Sequence, residues 1–258
     1  MVDVSPRRPD SVTGNVLVTG ASRGIGRAVA QQLAKAGFDV ILWARTTAEL
    51  ESLAAECRDT GVTARIATVD VGDPASVQAA VTTSLADLGS LRGVVINAGG
   101  GIWNEITDVS PAEWRAVVGP NLDGAFHTLR VTLPLLRRSR HAQVVGIASD
   151  SSYYSYPGRA AYCASKAGFL SLMNTARREM RAHGIRVTSI VASRVDSYFR
   201  GKHPGARPEA LSTDEIAEVV TGVFCGPPRV EVRELAVSAL HTSFGPYPEH
   251  LTEDEDDE

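Results

Sequence analysis

Near its start the chain has a short apolar run, then a turn rich in glycine, then an apolar pattern of helical period. The run covers residues 15–19, and the helical pattern ends at Gly37. The turn between them holds three glycines: Gly20, Gly24 and Gly26. Glycines let a backbone approach a phosphate closely, and a helix N-terminus offers it unpaired N–H groups. The pattern therefore predicts a phosphate-binding strand–turn–helix unit, although a βα turn that binds nothing has similar glycines.

The alternation of apolar strands and helices continues along the chain. Further strands are predicted at 38–43, 64–69, 91–97, 142–149, 185–191 and 231–237. Further helices are predicted at 46–58, 74–88, 111–138, 159–183 and 213–224, the third of them interrupted at Gly119-Pro120. Strands that alternate with helices pair in parallel through right-handed crossovers. The sequence thus predicts an α/β fold: a single doubly wound, Rossmann-type domain with a mostly parallel seven-stranded sheet.

The predicted domain covers residues 12–240, because no proline- or glycine-rich linker divides this stretch. Residues 1–11 are expected to form a flexible N-terminal segment. Residues 241–258 are expected to form a C-terminal extension that ends in an acidic tail. From Thr252 onward this tail is almost entirely Asp and Glu, so charge repulsion should keep it disordered.

Composition limits the possible partners and location. The net charge is −4 without a basic stripe, which argues against nucleic acid. No apolar run approaches the ~20 residues that span a bilayer, and no secretory signal is visible, so no membrane partner is expected. The three cysteines fit neither a metal site nor a disulfide set, so we expect no metal, a cytoplasmic location and a packing role for each. They are Cys57, Cys163 and Cys225.

The residues at the carboxyl ends of the predicted strands are mostly small, polar or charged, unlike the strands themselves. They are Gly20, Ala44-Arg45, Asp70-Val71, Asn97-Ala98-Gly99, Ser149-Asp150 and Ala192-Ser193. Ligands of doubly wound sheets bind outside these strand ends, where the strand order reverses. The set therefore predicts one cofactor crevice with a hydroxyl group beside it.

Tyr162 and Lys166 are four residues apart in a predicted helix, and so they share one face of it. A nearby ammonium group favours the phenolate form of a tyrosine. A decrease of ~3 units in the pKa, equivalent to roughly 4 kcal/mol, would let the phenol exchange protons near neutral pH. Such a pair is common, however, and is informative only together with the other motifs.

Taken together, the motifs resemble those of the short-chain dehydrogenase/reductase family in order and spacing. The resemblance covers about residues 12–237, and Ser149 precedes Tyr162 by the thirteen positions usual in the family. Its motifs are Thr19-Gly20-x-x-x-Gly24-x-Gly26, Asp70-Val71, Asn97-Ala98-Gly99, Asn121, Ser149 and Tyr162-x-x-x-Lys166.

This resemblance implies four catalytic residues. Tyr162 is expected to protonate the substrate oxygen, while Lys166 lowers the Tyr162 pKa and binds the nicotinamide ribose. Ser149 is expected to hold the substrate oxygen, a contribution of about 3 kcal/mol. Asn121 is expected to hold a water that links Lys166 to solvent, since Pro120 must bend the helix there. The structural alternatives are a surface hydroxyl at Ser149 and an ordinary helix-interior amide at Asn121.

The resemblance also implies a set of cofactor contacts. Asp70 is expected to accept a hydrogen bond from the adenine amino group, and residues 97–99 to form a floor under the adenosine. Strand-end turns would look the same in sequence. The implied cofactor residues are Gly20, Ser22, Arg23, Gly24, Ile25, Gly26, Arg45, Asp70, Val71, Asn97, Ala98, Gly99, Tyr162, Lys166 and Val195.

The second predicted strand ends in a way that favours NADP(H). Family members that prefer NAD usually have an acidic residue there, which bonds both ribose hydroxyls. This chain has Ala44 followed by Arg45, and Arg23 lies in the glycine turn. Two cations without an opposing carboxylate suit a 2′-phosphate. The alternative is that both arginines are solvated surface charges.

The chain departs from the family pattern after the sixth strand. Ala192 and Ser193 stand where Pro-Gly is common, and Ser197 replaces a threonine. We therefore expect an altered turn there. Residues 197–212 are short for a substrate-covering loop, so a more open pocket is expected, unless the C-terminal stretch 238–250 covers it.

The substrate itself is not fixed by the sequence. Asp150 directly follows Ser149, and it would oppose phenolate formation at Tyr162 if it faced the site. An aromatic or extended apolar ketone would suit the aromatic residues near the expected pocket, which are Trp103, Tyr153, Tyr154, Tyr156, Tyr198 and Phe199. A carboxylate or phosphate could be bound by four cations, which are Arg159, Arg194, Arg200 and Lys202.

We therefore expect an NADPH-dependent ketoreductase that acts on a small-molecule carbonyl or alcohol. The alternatives are a dehydratase, epimerase or decarboxylase that uses bound nucleotide, and a non-catalytic nucleotide-sensing protein. The helices at 111–138 and 159–183 have apolar faces larger than one sheet face requires. Because the corresponding helices pair between subunits in similar proteins, a homodimer or homotetramer is expected.

Overall fold

Seven parallel strands form the central sheet in the computed structural model, which describes residues 14–240. In this part of the chain the strands are β1 (Asn15–Thr19), β2 (Asp39–Ala44), β3 (Ala64–Thr68), β4 (Gly93–Ile96), β5 (Gln143–Ser149), β6 (Arg186–Ala192), β7 (Val195–Asp196), β8 (Leu211–Ser212) and β9 (Glu234–Val237). The order in the sheet is β3-β2-β1-β4-β5-β6-β9. This confirms the predicted doubly wound α/β fold. Strands β7 and β8 pair separately in parallel, which the sequence analysis did not predict.

Helices cover both faces of this sheet. They are α1 (Gly24–Lys35), α2 (Thr47–Arg58), α3 (Pro74–Ser84), α4 (Pro111–Val118), α5 (Gly124–Leu136), α6 (Ala160–Arg181) and α7 (Thr213–Cys225). Side chains alternate along β1, so that Val16 and Val18 pack with α1, α2 and α7, whereas Leu17 packs with α3, α5 and α6. Within residues 14–240 no helix has both the length and the apolarity that a bilayer span requires.

The predicted helix 111–138 is divided into α4 and α5 by a π-helical turn, Gly119–Asp123. Its interruption at Gly119-Pro120 is confirmed. Proline has no N–H to donate and its ring crowds the preceding turn, so the regular ladder cannot continue through Pro120. Instead the N–H of Gly124 donates to the carbonyl of Gly119, five residues earlier. This turn directs Asn121 into the interior, where it is 1% exposed.

Some predicted bounds and one residue role are wrong. Helix α3 ends at Ser84 and not at 88, because Leu85 leaves the helix and is itself buried. The last strand begins at Glu234 and not at 231. Cys57 and Cys163 are buried as expected for packing residues, whereas Cys225 is exposed at the last position of α7. The predicted segment 1–11 and extension 241–258 lie outside the described residues.

The strand order reverses at β1, which pairs with β2 on one side and β4 on the other. The connections from these strands therefore leave in opposite directions and open a crevice at the carboxyl edge of the sheet. Thr19, the last residue of β1, connects β1 to the end of β4 through its hydroxyl group. Its Oγ1 donates to the carbonyl of Val95 (3.3 Å) and accepts from the N–H groups of Asn97 (3.0 Å) and Ala98 (3.1 Å).

Candidate functional site

A cavity of about 790 Å³ lies at the carboxyl edge of the sheet. Most of the predicted site residues line it. They are Gly20, Ser22, Arg23, Gly24, Ile25, Arg45, Asp70, Val71, Asn97, Ala98, Gly99, Ser149, Tyr162, Lys166 and Val195. Gly26 and Asn121 are not among the lining residues, but they contact Gly20 and Gly100, which are. The structure thus brings the strand-end residues together in one crevice, as their positions predicted.

The glycine turn is held tightly against the ends of β1 and β4. Gly20 has a φ of +66°, a conformation that other residues adopt only with strain. A Cβ on Gly26 would lie 2.2 Å from the carbonyl oxygen of Gly20, so only glycine lets α1 start so close to β1. Asn97 Nδ2 donates to the carbonyls of Thr19 (3.0 Å) and Gly20 (3.2 Å). The side chain of Asn97 therefore holds the turn in place.

This turn fits the pyrophosphate of a dinucleotide. Helix α1 begins at Gly24 on the cavity wall and has no acidic residue in its first turn, so its own side chains do not repel an anion at its N-terminus. Arg23 and Arg45 are exposed at the cavity rim, and Ala44 is almost fully buried. The residues present therefore fit a nicotinamide dinucleotide with an additional phosphate on its adenosine ribose.

Two details modify the predicted adenosine site. Asp70 uses one carboxylate oxygen, Oδ1, to accept from the N–H of Gly72 (2.9 Å), so turn geometry accounts for part of its role. Glu49, in the first turn of α2, also lines the cavity. The sequence analysis left this carboxylate out, because it lies four positions beyond Arg45 and its direction is visible only in the fold.

Ser149, Tyr162 and Lys166 meet at the junction of β5 and α6. Ser149 is the last residue of β5, and its side chain forms a hydrogen bond with Tyr162. Lys166 is 7% exposed, and its Nζ donates to the carbonyl of Ile147 on β5 at 2.8 Å. The ring of Tyr162 packs against Trp103 and Phe199, with ring centroids 5.1 and 5.5 Å apart. An aromatic wall thus surrounds the phenol at the cavity.

Burial dominates the pKa values of Tyr162 and Lys166. Burial raises the pKa of Tyr162 to about 12, and the charge of Asp150 adds to this increase. Burial also lowers the pKa of Lys166 to about 8. The ammonium bonds the Ile147 carbonyl and lies 5.8 Å from the Tyr162 ring centroid. A lowering of the Tyr162 pKa by Lys166 remains a prediction.

The Asn121 side chain connects two parts of the site. Its Oδ1 accepts from the N–H of Gly100 (2.8 Å), and its Nδ2 donates to the Gly100 carbonyl (3.0 Å) and to Ser165 Oγ (2.9 Å). Ser165 in turn donates to the carbonyl of Tyr162 at 2.8 Å. Asn121 therefore fixes the chain after β4 against the α6 turn that holds the tyrosine. Its predicted contact with a relay water remains a prediction.

The altered turn after β6 is held by β9. The N–H of Ser193 donates to the carbonyl of Val237 (3.0 Å). The hydrogen bonding between β6 and β9 therefore extends to the residue after β6, where a Pro-Gly pair was expected from the resemblance. Ser197 is 8% exposed, and its Oγ accepts from the N–H of Phe199 (3.3 Å). Its Cβ lies 3.8 Å from the position that a Cβ would take on Gly24. Ser197 therefore lies beside the glycine turn.

Six of the ten residues considered for substrate binding line the cavity. The aromatic ones are Trp103, Tyr198 and Phe199, and the cationic ones are Arg159, Arg194 and Arg200. The others considered are not among its lining residues: Tyr153, Tyr154, Tyr156 and Lys202. Arg207 also lines the cavity and was missed, because nothing in its sequence surroundings marks it.

Comparison with known proteins gives one consistent family. A model of the short chain dehydrogenase family matches residues 14–205. A 3-oxoacyl-(acyl-carrier-protein) reductase of Staphylococcus aureus is 34% identical over 180 residues, which are 69% of this chain and 73% of that protein.

Solved structures agree with this result. An alcohol dehydrogenase of Thermococcus sibiricus, complexed with 5-hydroxy-NADP, superposes with a TM-score of 0.84 at 31% identity and covers 89% of this chain and 98% of its own. A 3-ketoacyl-(acyl-carrier-protein) reductase of Brucella melitensis, complexed with NADH, gives a TM-score of 0.78 at 26% identity. It covers 88% of this chain and 98% of its own.

The buried lysine predicts a particular dependence of stability on pH. The pKa of Lys166 falls from 10.5 to about 8 on folding, so between these pH values the unfolded chain binds a proton that the folded chain does not. Folding therefore becomes more favourable as pH rises through this window. The free energy of unfolding of wild type minus that of Lys166→Met should increase by about 1–3 kcal/mol from pH 8 to pH 10.5. Urea denaturation measures this difference.

Lys35→Met is the matched control, because Lys35 is exposed in the last turn of α1. Its difference from wild type should stay constant over the same pH range. If the free-energy difference between wild type and Lys166→Met also stays constant over this pH range, the burial of a titrating ammonium group at this position is contradicted.

Proposed function

Because the chain belongs to the short chain dehydrogenase family, we propose that it is an NADPH-dependent ketoreductase, which interconverts a carbonyl and an alcohol of a small-molecule substrate. The observation that supports this most directly is the hydrogen-bonded pair of Ser149 and Tyr162 at the wall of the cavity that the glycine turn closes. Phosphate-binding and proton-donating groups thus face one space large enough for a dinucleotide and a small ketone.

In the proposed reduction Tyr162 acts as the general acid. A pKa of about 12 keeps its phenol protonated at neutral pH, so the proton is in place for the substrate oxygen. NADPH, when bound, supplies the hydride for the carbonyl carbon. Trp103 and Phe199 pack on the phenol ring and limit the access of water to it. The O–H bond of Tyr162 breaks as the alcohol O–H forms.

The remaining residues have supporting roles in this proposal. The turn from Gly20 to Gly26 holds the pyrophosphate at the start of α1. Arg23 and Arg45 bind the 2′-phosphate, which accounts for a preference for NADP(H). Lys166 fixes α6 on β5 and reaches the cavity, where it can bond the nicotinamide ribose.

Replacement of Tyr162 tests the proposed acid. Tyr162→Phe keeps the ring between Trp103 and Phe199 but removes the proton, so ketone reduction should fall about 10²–10⁴-fold while NADPH still binds. A panel of ketones and alcohols, each assayed with both cofactors by NADPH absorbance, measures this. Tyr154→Phe is the control, because Tyr154 is 44% exposed and is not a cavity residue. Substrate consumption without any change in NADPH would instead indicate a dehydratase, epimerase or decarboxylase.

The cofactor preference has its own test. In Ala44→Asp/Arg45→Gln a carboxylate replaces the cation at the end of β2, so the ratio of kcat/KM for NADPH to that for NADH should fall at least about tenfold. Arg178→Gln, which removes an exposed arginine that is not among the lining residues of the cavity, should leave the ratio unchanged. A ratio that the double variant leaves unchanged would show that Arg45 does not bind the 2′-phosphate.

We further propose that the protein is a homodimer or homotetramer. Trp114 on α4 and Phe126 on α5 are 41% and 50% exposed, which is unusual for large apolar side chains on neighbouring helices. Light scattering should give two or four times the chain mass. Phe126→Asp should lower it, whereas Ile106→Asp, at a position 79% exposed outside these helices, should not. A monomeric wild type would contradict the proposal.

A cytoplasmic location completes the proposal. Cys57, Cys163 and Cys225 are free thiols in the described part of the chain. Free thiols persist in the reducing cytoplasm, whereas oxidising compartments favour their pairing.

A further inference from the structure

A buried carboxylate lies directly beside the hydroxyl of Ser149. Asp150 is 6% exposed, and hydroxyl groups from three parts of the chain surround it. Its Oδ1 accepts from Ser149 Oγ (2.8 Å) and Ser151 Oγ (3.5 Å). Its Oδ2 accepts from Tyr156 Oη (3.3 Å) and Ser193 Oγ (3.4 Å). The bond from Ser149 is the shortest of the four, so this hydroxyl is the principal partner of the carboxylate.

This bond decides how Ser149 can interact with its other neighbours. A serine hydroxyl has one proton to donate, and here the proton points to Asp150. The N–H of Ser151 donates to Ser149 Oγ at 3.2 Å. Towards Tyr162 and the cavity, Ser149 therefore presents an oxygen that accepts, although the family role expected for it is to donate to the substrate oxygen.

We propose that Asp150 is a positioning residue, which takes the hydroxyl proton of Ser149 and, as a fixed negative charge, keeps the phenol of Tyr162 protonated. Two consequences follow. Without a substrate, Tyr162 donates its single proton to Ser149 Oγ. With a ketone bound, it donates that proton to the substrate oxygen, to which Ser149 has no proton left to donate. The chemistry of this assignment rests on the proposed ketoreductase function, whereas the hydrogen bonds themselves do not.

The charges around the phenol agree with this assignment. Asp150 raises the pKa of Tyr162 and also that of Tyr156, in addition to the larger effect of burial on each. The titratable groups that face Tyr162 are Asp150, Arg159, Cys163 and Lys166, with Arg200 on the Trp103 ring beside it. Of these, Arg159 acts in the opposite direction to Asp150. Lys166 is directed to the Ile147 carbonyl.

Two variants separate the charge of Asp150 from its role as an acceptor. Asp150→Asn removes the charge but keeps an oxygen that Ser149 can donate to, whereas Asp150→Ala removes both. In both variants the ionisation of Tyr162 should begin about one pH unit lower than in wild type. Ser149→Ala should reduce kcat for the ketone more in the Asp150→Ala background than in wild type, because only there is the Ser149 proton free for the substrate.

The ionisation is measured by NMR of the protein with ¹³C-labelled tyrosine, over the pH range in which circular dichroism shows the fold intact. The Tyr162 resonance is identified by its loss in Tyr162→Phe, and the measurement needs no substrate. Glu234→Gln is the matched control, because it removes an exposed carboxylate that accepts from Tyr153 Oη and does not contact Ser149. This control should leave the ionisation of Tyr162 unchanged.

The outcomes distinguish this proposal from the proposed function. An ionisation of Tyr162 that is the same in wild type and Asp150→Asn overturns the role of the Asp150 charge, whatever the activity. If Ser149→Ala reduces kcat as much in the wild-type background as in the Asp150→Ala background, the assignment of the Ser149 proton to Asp150 is overturned. A shifted ionisation in a protein that reduces no ketone would support the role of Asp150 and reject the ketoreductase function.

Discussion

The hydrogen bond from Lys166 Nζ to the carbonyl of Ile147 connects the two elements on which the site depends. It ties α6 to β5 in the interior, two residues before β5 ends at Ser149. One helical turn before Lys166, Tyr162 is thereby held against the Ser149 hydroxyl. A buried ammonium is costly unless a polar group satisfies it, so the bond to the Ile147 carbonyl also makes the lysine tolerable there. The lysine acts here first as a structural cation.

The opposite half of the cavity depends on the end of β1. The Thr19 hydroxyl and the Asn97 amide join β1 to the chain after β4, at the point where the strand order reverses. Gly26 then lets α1 start against Gly20. Because the same sheet edge holds Ser149, the glycine turn and the phenol of Tyr162 line one cavity. The arrangement follows from strand order together with the glycine turn and the Asn97 amide that holds it.

The sequence was sufficient for the features that depend on local pattern. Apolar periodicity predicted the seven strands, and the glycine spacing predicted the turn after β1. Pro120 predicted the interruption before Asn121. Side-chain directions were not accessible in this way. The carbonyl that receives Lys166 is 19 residues away in the chain, and the carboxylate of Asp150 is held by Ser193, which is 43 residues away. Such pairs form only after the strands have been ordered, so the pKa of Tyr162 could not be predicted from the tyrosine–lysine spacing.

A crystal structure of the protein with NADPH and a non-reacting ketone tests the central claim most directly. The claim is that one cavity places the nicotinamide ring and a carbonyl oxygen at the phenol of Tyr162. The expected result has the pyrophosphate on the turn between Gly20 and Gly26, and the ketone oxygen within hydrogen-bond distance of Tyr162 Oη. A nicotinamide ring remote from Tyr162, or a ketone oxygen that the phenol does not reach, would contradict the account.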